Sequence, residues 1–123
     1  MLTKAIILID DEADLVNLFT EALQLNSFKV CGFTHPLEAL NHVEKNPQDY
    51  GLVISDFKMP DMNGNELCTK LLKLNPDLKV ILMSAYTDII YEKEKFYFIN
   101  KPISITRLLK IINEKFIENF ITL

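Results

Sequence analysis

Basic residues do not predominate: 13 Lys and Arg stand against 17 Asp and Glu, a formal net charge of −4. That balance counts against a general nucleic-acid binder, whose domains usually carry a basic face. There is no tryptophan, and the two cysteines, Cys31 and Cys68, have neither a CxxC spacing nor a nearby histidine. Disulfide and zinc readings have little support, and both thiols are expected as small core residues in a reducing cytoplasm. No apolar run approaches the roughly 20 residues that cross a bilayer. The opening MLTKAIILIDDE meets two acids after a short apolar stretch, unlike a secretory leader. No membrane association is expected. Repeats, low-complexity tracts and Gly/Ser/Pro-rich linkers are also missing, so residues 1–123 are read as a single domain without an effector domain.

Apolar residues make up 49% of the chain and include eight Phe, enough for a packed core. Five short apolar runs do not alternate cleanly with polar residues: KAIILI (4–9), FKVCGF (28–33), GLVIS (51–55), KVILMS (79–84) and KFYFIN (95–100). Such runs suit a parallel sheet covered on both faces. Segments of helical spacing lie between them. Residues 12–25 place Leu15, Leu18, Phe19, Ala22 and Leu23 near one stripe. PLEALNHVEK opens with Pro36 at a first helical position. NELCTKLLKLN follows the loop after Asp56, and TDIIYEKE (87–94) has room for only two turns. A last helix starts from Ser104, a good N-cap, and extends to the end of the chain. Strand and helix alternate five times, so short right-handed crossovers predict an α/β, doubly wound, five-stranded parallel sheet of order 2-1-3-4-5, flavodoxin-like, with helices on both faces.

In that sheet every strand C-terminus lies along one edge, where ligands bind. The first strand ends in Asp10 and Asp11, the third in Asp56, the fourth in Ser84, and the fifth runs into Lys101 and Pro102. Strands one and three are neighbours, so the three acids should converge. Close carboxylates repel, and a hard divalent cation such as Mg²⁺ (or Mn²⁺) relieves them while leaving coordination positions for a phosphate. A metal beside a carboxylate, a hydroxyl and a lysine resembles a phosphoryl-transfer site. Asp56 is its nucleophile, Lys101 a source of positive charge and Ser84 a hydroxyl donor. Read singly, these residues have plainer accounts. Asp10 and Asp11 suit a helix start, as do Glu12 and Asp14, and Asp56 suits a turn before KMPDMNG. His35 and His42 are expected on a solvated face.

LIDDE (8–12), VISDFKMPDMNG (53–64), MSA (83–85) and INKP (99–102) occur in that order at four strand ends. On these motifs the whole chain resembles the receiver domain of two-component response regulators. The resemblance implies a phosphoacceptor switch in a phosphorelay, not an enzyme in the ordinary sense. It is expected to catalyse its own phosphorylation on Asp56 with Mg²⁺, taking the group from a histidine kinase or histidine phosphotransfer protein. Metal ligands would be Asp10 (largely through water), Asp11, Asp56 and the backbone carbonyl of Lys58. Ser84 and Phe98 would form the switch, and Lys101-Pro102 would be a cis peptide. The face made by the fourth helix, fifth strand and last helix would change shape on phosphorylation.

The chain departs from the family pattern between Ser84 and Lys101, where the span is short. The fourth helix is expected short or irregular, with Ile89, Ile90 and Tyr91 covering the core or meeting a partner. Lys58 and Tyr86 flank the path of an attacking water, and neither is a carboxylate or amide suited to orient it. Slow loss of the phosphoryl group is the expectation. The last helix, spanning about 27 Å over some 18 residues, adds Ile111, Phe116, Ile117, Phe120 and Ile121 beyond one apolar stripe, which suggests a homodimer or partner contact. Alternatives are a receiver-like scaffold with little phosphorylation and an aspartyl-phosphate-type metal-dependent phosphatase. The latter normally needs a second acid where this chain has Lys58. A flavin carrier of the same fold would need a Ser/Thr/Gly-rich loop where DDEAD stands.

Overall fold

The computed structural model describes residues 4–117 apart from 88, 90 and 92. Five strands, β1 (Ala5–Ile9), β2 (Lys29–Phe33), β3 (Tyr50–Asp56), β4 (Lys79–Ser84) and β5 (Phe96–Asn100), form one parallel sheet of order β2-β1-β3-β4-β5. Four helices accompany them: α1 (Ala13–Leu25), α2 (Pro36–Lys45), α3 (Gly64–Leu74) and α4 (Ile105–Lys115). The architecture is the one expected, except that no helix links β4 to β5 among the described residues; residues 93–95 form a turn. Ile90 lies outside the described residues. Eleven positions separate the two strands, which leaves little room for a helix plus both of its connections.

Side chains of β1 alternate between two cores, as the pleat requires. Ile6 and Leu8 join Val16, Phe19 and Leu23 of α1 and Leu108, Ile111 and Ile112 of α4. Ile7 and Ile9 join Ala39 and Val43 of α2 and Leu67, Cys68 and Leu71 of α3. Both sheet faces are therefore covered, which explains the continuous apolar runs. Burial raises the Cys68 thiol well above its usual range, and both cysteines are free.

Helix boundaries follow local chemistry. Ser104 Oγ accepts from the Arg107 amide, and Asn63 Oδ1 accepts from the Glu66 amide. Pro36 takes the first position of α2. Glu12 precedes α1 without a side-chain cap bond, and Asp14 lies in the first turn.

Three expectations need correction. Leu18 is exposed, because Val16, Phe19 and Leu23 form the inward stripe of α1. Ile111 is core, and Phe116 and Ile117 pack against it, so α4 has less spare apolar surface than its sequence suggested; Phe120 and Ile121 lie outside the described residues. Neither histidine is merely solvated. His35 Nδ1 accepts from the Leu37 amide while Nε2 meets Asp61 Oδ2 at 2.9 Å. His42 Nε2 meets the Tyr50 hydroxyl, which donates to Cys31 Sγ at 3.3 Å. Burial, then the Cys31 bond, raises the Tyr50 phenol far above its ordinary value.

Candidate functional site

Parallel register brings the strand ends level. Ile9 pairs with Ser55, so Asp10 and Asp56 stand next to one another beyond that pair. Asp56 pairs with Met83, and Ser84 with Asn100, which places Lys101 one residue further out. Ligand oxygens of Asp10, Asp11 and Asp56 lie within 4.8 Å of one another. Asp10 is 1% exposed and Asp56 is also buried, whereas Asp11 faces solvent.

Lys101 crosses the cluster. Its Nζ lies 2.8 Å from Asp10 Oδ2 and 3.3 Å from Asp56 Oδ2. The other Asp10 oxygen accepts from the Glu12 amide at 2.9 Å, so the first acid is fixed at both ends. Burial and the neighbouring Asp10 charge push the Asp56 carboxyl up to about 6, although Lys101 opposes them. For Lys101, burial works against the ammonium, but the Asp10 bond and both carboxylates outweigh it and hold the group above its usual value. The Lys101–Pro102 peptide is cis, as expected.

A cleft of about 530 Å³ opens above these groups, with Asp11, Asp56, Lys58, Ser84, Tyr86 and Lys101 among its lining residues. Two loops shape it. After β3, the Phe57 amide bonds to the Met83 carbonyl and the Gly64 amide to the Phe57 carbonyl. A Cβ on Gly64 would lie 2.4 Å from the Asp56 carbonyl oxygen, so only glycine lets α3 start this close to the acidic strand end. After β4, Ser84 Oγ accepts from the Tyr86 amide at 3.0 Å. Lys58 Nζ then sits 5.2 Å from the centre of the Tyr86 ring, so the two side chains meet over one side of the cleft.

Asp10, Asp11, Asp56, Ser84 and Lys101 thus converge as their positions at strand ends predicted, and Lys58 and Tyr86 join them. Phe98 lies on the α2/α3 side of the sheet, half-buried, with its ring stacked on Tyr91 at 5.4 Å. Two participants were not foreseen. The Glu12 amide holds Asp10, a backbone role that no residue type announces. The His35–Asp61 pair ties the start of α2 to the loop after Asp56, and nothing in the sequence connects two residues 26 apart.

A sheet of this order with an acidic, lysine-bridged pocket at its C-terminal edge defines a receiver-type phosphoacceptor module. Residues 6–113 match the response regulator receiver domain family, and the chain belongs to it. Among relatives, the C4-dicarboxylate transport transcriptional regulatory protein DctD of Rhizobium meliloti (strain 1021) is 37% identical over 112 residues, 86% of this chain and 24% of that protein. Sporulation initiation phosphotransferase F of Bacillus subtilis (strain 168) is 29% identical over 89 residues, 72% of this chain and 70% of its own. A solved structure, the response regulator receiver domain protein (CheY-like) from Methanospirillum hungatei JF-1, aligns with a TM-score of 0.84 at 28% identity, covering 94% of this chain and 95% of that one. The chain spans only 12–27% of the length of three curated relatives that it matches. Among the described residues no helix is long and apolar enough to cross a membrane.

Proposed function

We propose that Asp56 accepts a phosphoryl group from a histidine kinase or histidine phosphotransfer protein in the cytoplasm, and that the resulting charge switches the domain. The observation that carries this is the juxtaposition of three carboxylates within 4.8 Å with Lys101 bridging two of them. Such a cluster fits a hard cation, because its donors are oxygens and Asp11 leaves one side open to solvent. Asp10, Asp11, Asp56 and the Lys58 carbonyl would hold Mg²⁺ or Mn²⁺, which supplies positive charge against the phosphoryl oxygens.

The remaining chemistry belongs to the chain. A carboxylate oxygen of Asp56 forms the new bond to phosphorus as the bond to the donor breaks, and the donor departs with the electron pair. Asp56 needs no general base, since at neutral pH a group titrating near 6 is mostly ionised. Lys101 stands beside the acceptor oxygen and offsets charge on the equatorial phosphoryl oxygens. Ser84 would leave the Tyr86 amide to donate to one of them. Phe98 must break its stack on Tyr91 to turn inward, so the β4–β5 connection and β5 form the element that changes.

Incubation with acetyl phosphate and Mg²⁺ should add the mass of one phosphoryl group, whereas Asp56→Asn should gain none. An unmodified wild-type protein, or a modified Asn variant, would refute the assignment.

Decay of that product should be slow, since Lys58 and Tyr86 cover one approach without offering a carboxylate or amide to orient water. Lys58→Asn and Tyr86→Glu should each accelerate hydrolysis, by up to about a hundredfold, the lower end of general acid–base effects. Unchanged lifetimes in both would rule out a shielding role.

A further inference from the structure

The loop between Asp56 and α3 carries Lys58, whose carbonyl is proposed as a metal ligand. Backbone bonds fix its ends: the Phe57 amide donates to the Met83 carbonyl at 2.8 Å, and the Gly64 amide to the Phe57 carbonyl at 2.7 Å. Met59 and Met62 are buried in the core shared with α2 and α3. Between those two anchors the chain turns sharply. The Met62 amide donates to the Pro60 carbonyl at 2.8 Å, and Asp61, the residue between them, has φ 71°. A turn of this kind, with positive φ at its centre, is rare and strained for a residue that has a Cβ. It persists where its surroundings hold it.

The side chain that meets this turn is His35. The Leu37 amide donates to its Nδ1 at 3.2 Å. A backbone amide only donates, so Nδ1 carries no proton. The ring proton is therefore on Nε2, which donates to Asp61 Oδ2 at 2.9 Å. The cap of α2 thus selects the tautomer that bonds to the loop. Two residues earlier, the Phe33 carbonyl accepts from the Asp10 amide at 3.2 Å. Residues 33–35 consequently touch the exits of both acid-bearing strands, one through Phe33 and the other through His35. Both side chains of the pair are open to solvent, at 38% and 62% exposure. An exposed pair adds little to global stability, so its consequence is local to the loop.

We propose that His35 is a positioning residue for the metal site. Through Asp61 it holds the turn at 60–62, and with it the place of the Lys58 carbonyl, which sets the affinity for the divalent cation. The inference rests on the reading of Asp10, Asp11, Asp56 and the Lys58 carbonyl as ligands. His35 itself contacts neither the ion nor the phosphoryl group. Groups that orient a metal's ligands typically change its affinity even though they never touch it.

Mg²⁺ titrations followed by backbone amide shifts, without a phosphodonor, test this with three substitutions. His35→Asn keeps an acceptor for the Leu37 amide but is too short to bond Asp61. Asp61→Gly adopts positive φ freely and removes the acceptor. Asp61→Asn also tolerates positive φ and keeps an oxygen for Nε2. His35→Asn and Asp61→Gly should each weaken Mg²⁺ binding by about tenfold, the lower end for such orienting groups. Their double variant should lose no more than either single one, and Asp61→Asn should bind nearly as the wild type does. In EDTA, His35→Asn should shift the amides of residues 58, 59, 61 and 62 while Tm falls by less than about 4 °C. A general loss of stability would not give that split. Ring-nitrogen shifts of wild-type His35 should place the proton on Nε2. Wild-type affinity in His35→Asn and Asp61→Gly, additive losses in the double variant, a weakened Asp61→Asn, unmoved loop amides, or a proton on Nδ1 would overturn the proposal. A wild type that binds Mg²⁺ with this ranking but takes no phosphoryl group would refute the assignment of Asp56 and leave the role of His35 standing.

Discussion

Lys101→Met should destabilise the metal-free protein by about 3 kcal/mol, because removing one partner of a buried ion pair leaves the other charge uncompensated. The stranded group is Asp10, 1% exposed, whose second oxygen keeps only the Glu12 amide. Asp56 loses its cationic neighbour as well. A loss of that size should lower Tm by roughly 10 °C in a chain of this length. The cause is separable from lost packing of the lysine stem. Asp10→Asn placed in the Lys101→Met background should restore part of the stability, giving a coupling of at least about 1 kcal/mol in a double-mutant cycle. Saturating Mg²⁺ should also narrow the deficit, since an ion bound only by the folded state stabilises by mass action. Thermal melts of the four proteins with EDTA and with Mg²⁺ would check both. Additive losses, with no help from the metal, would mean that Lys101 serves the fold only by filling space.

Asp56→Asn should do the reverse and stabilise the metal-free protein at neutral pH. The folded state holds this carboxyl near 6, against an ordinary 3.8, through burial and the Asp10 charge. A folded-state value raised above the unfolded one means the native protein binds more protons between those limits. Stability from this group therefore falls as pH rises through about 4 to 6 and stays low above. Removing the charge should recover about 1–2 kcal/mol at pH 7, once solvent at the cleft mouth is allowed for, or roughly 4–8 °C in Tm. The advantage should shrink on acidification and be mostly gone near pH 4, where wild-type Asp56 is protonated in the folded state and nearly half protonated in the unfolded one. With saturating Mg²⁺ the ranking should invert, because the wild type keeps all its carboxylate ligands. A variant that melts below wild type in EDTA at pH 7, or whose advantage is independent of pH, would contradict the electrostatic picture of the cleft.

These effects share an origin in strand termini, and that is why the site could be read early. A buried parallel strand stays apolar until it leaves the sheet, so the first polar residue after each run marks an edge position. Asp10 and Ser84 announced themselves in this way, Asp56 and Lys101 followed one polar residue later, after Ser55 and Asn100, and strand order then brought them together. Helix faces were less legible. α1 has apolar residues at 15, 16, 18, 19, 22 and 23, so two inward stripes fit the same spacing, and packing on β1 chose the one containing Val16. In α4 the extra apolar positions looked like spare surface until Ile111 proved to be core. For the β4–β5 connection a short or irregular helix was expected from the short Ser84–Lys101 span; among the described residues none links the strands, and eleven positions leave little room for one. Tertiary pairs such as His42 with Tyr50 or His35 with Asp61 leave no local trace, because each partner is an ordinary residue for its own segment.

The asymmetry of charge follows from the same topology. Strand C-termini collect the acids and one bridging lysine, while strand starts and helix ends collect the remaining cluster of lysines at the opposite edge. The domain thus has an acidic, lysine-bridged cleft at one end of the sheet and a cluster of lysines at the other. Phosphoryl transfer is proposed for the first.

The central claim is that Asp56, among three clustered carboxylates, carries the phosphoryl group. Borohydride reduction of the protein after acetyl phosphate and Mg²⁺ treatment, followed by peptide mass mapping, tests it most directly, because an aspartyl phosphate is reduced to homoserine at the modified position. Homoserine at position 56, and at neither 10 nor 11, is the predicted result. Homoserine at position 10 or 11, or a phosphoryl group that survives on Ser84, would contradict it.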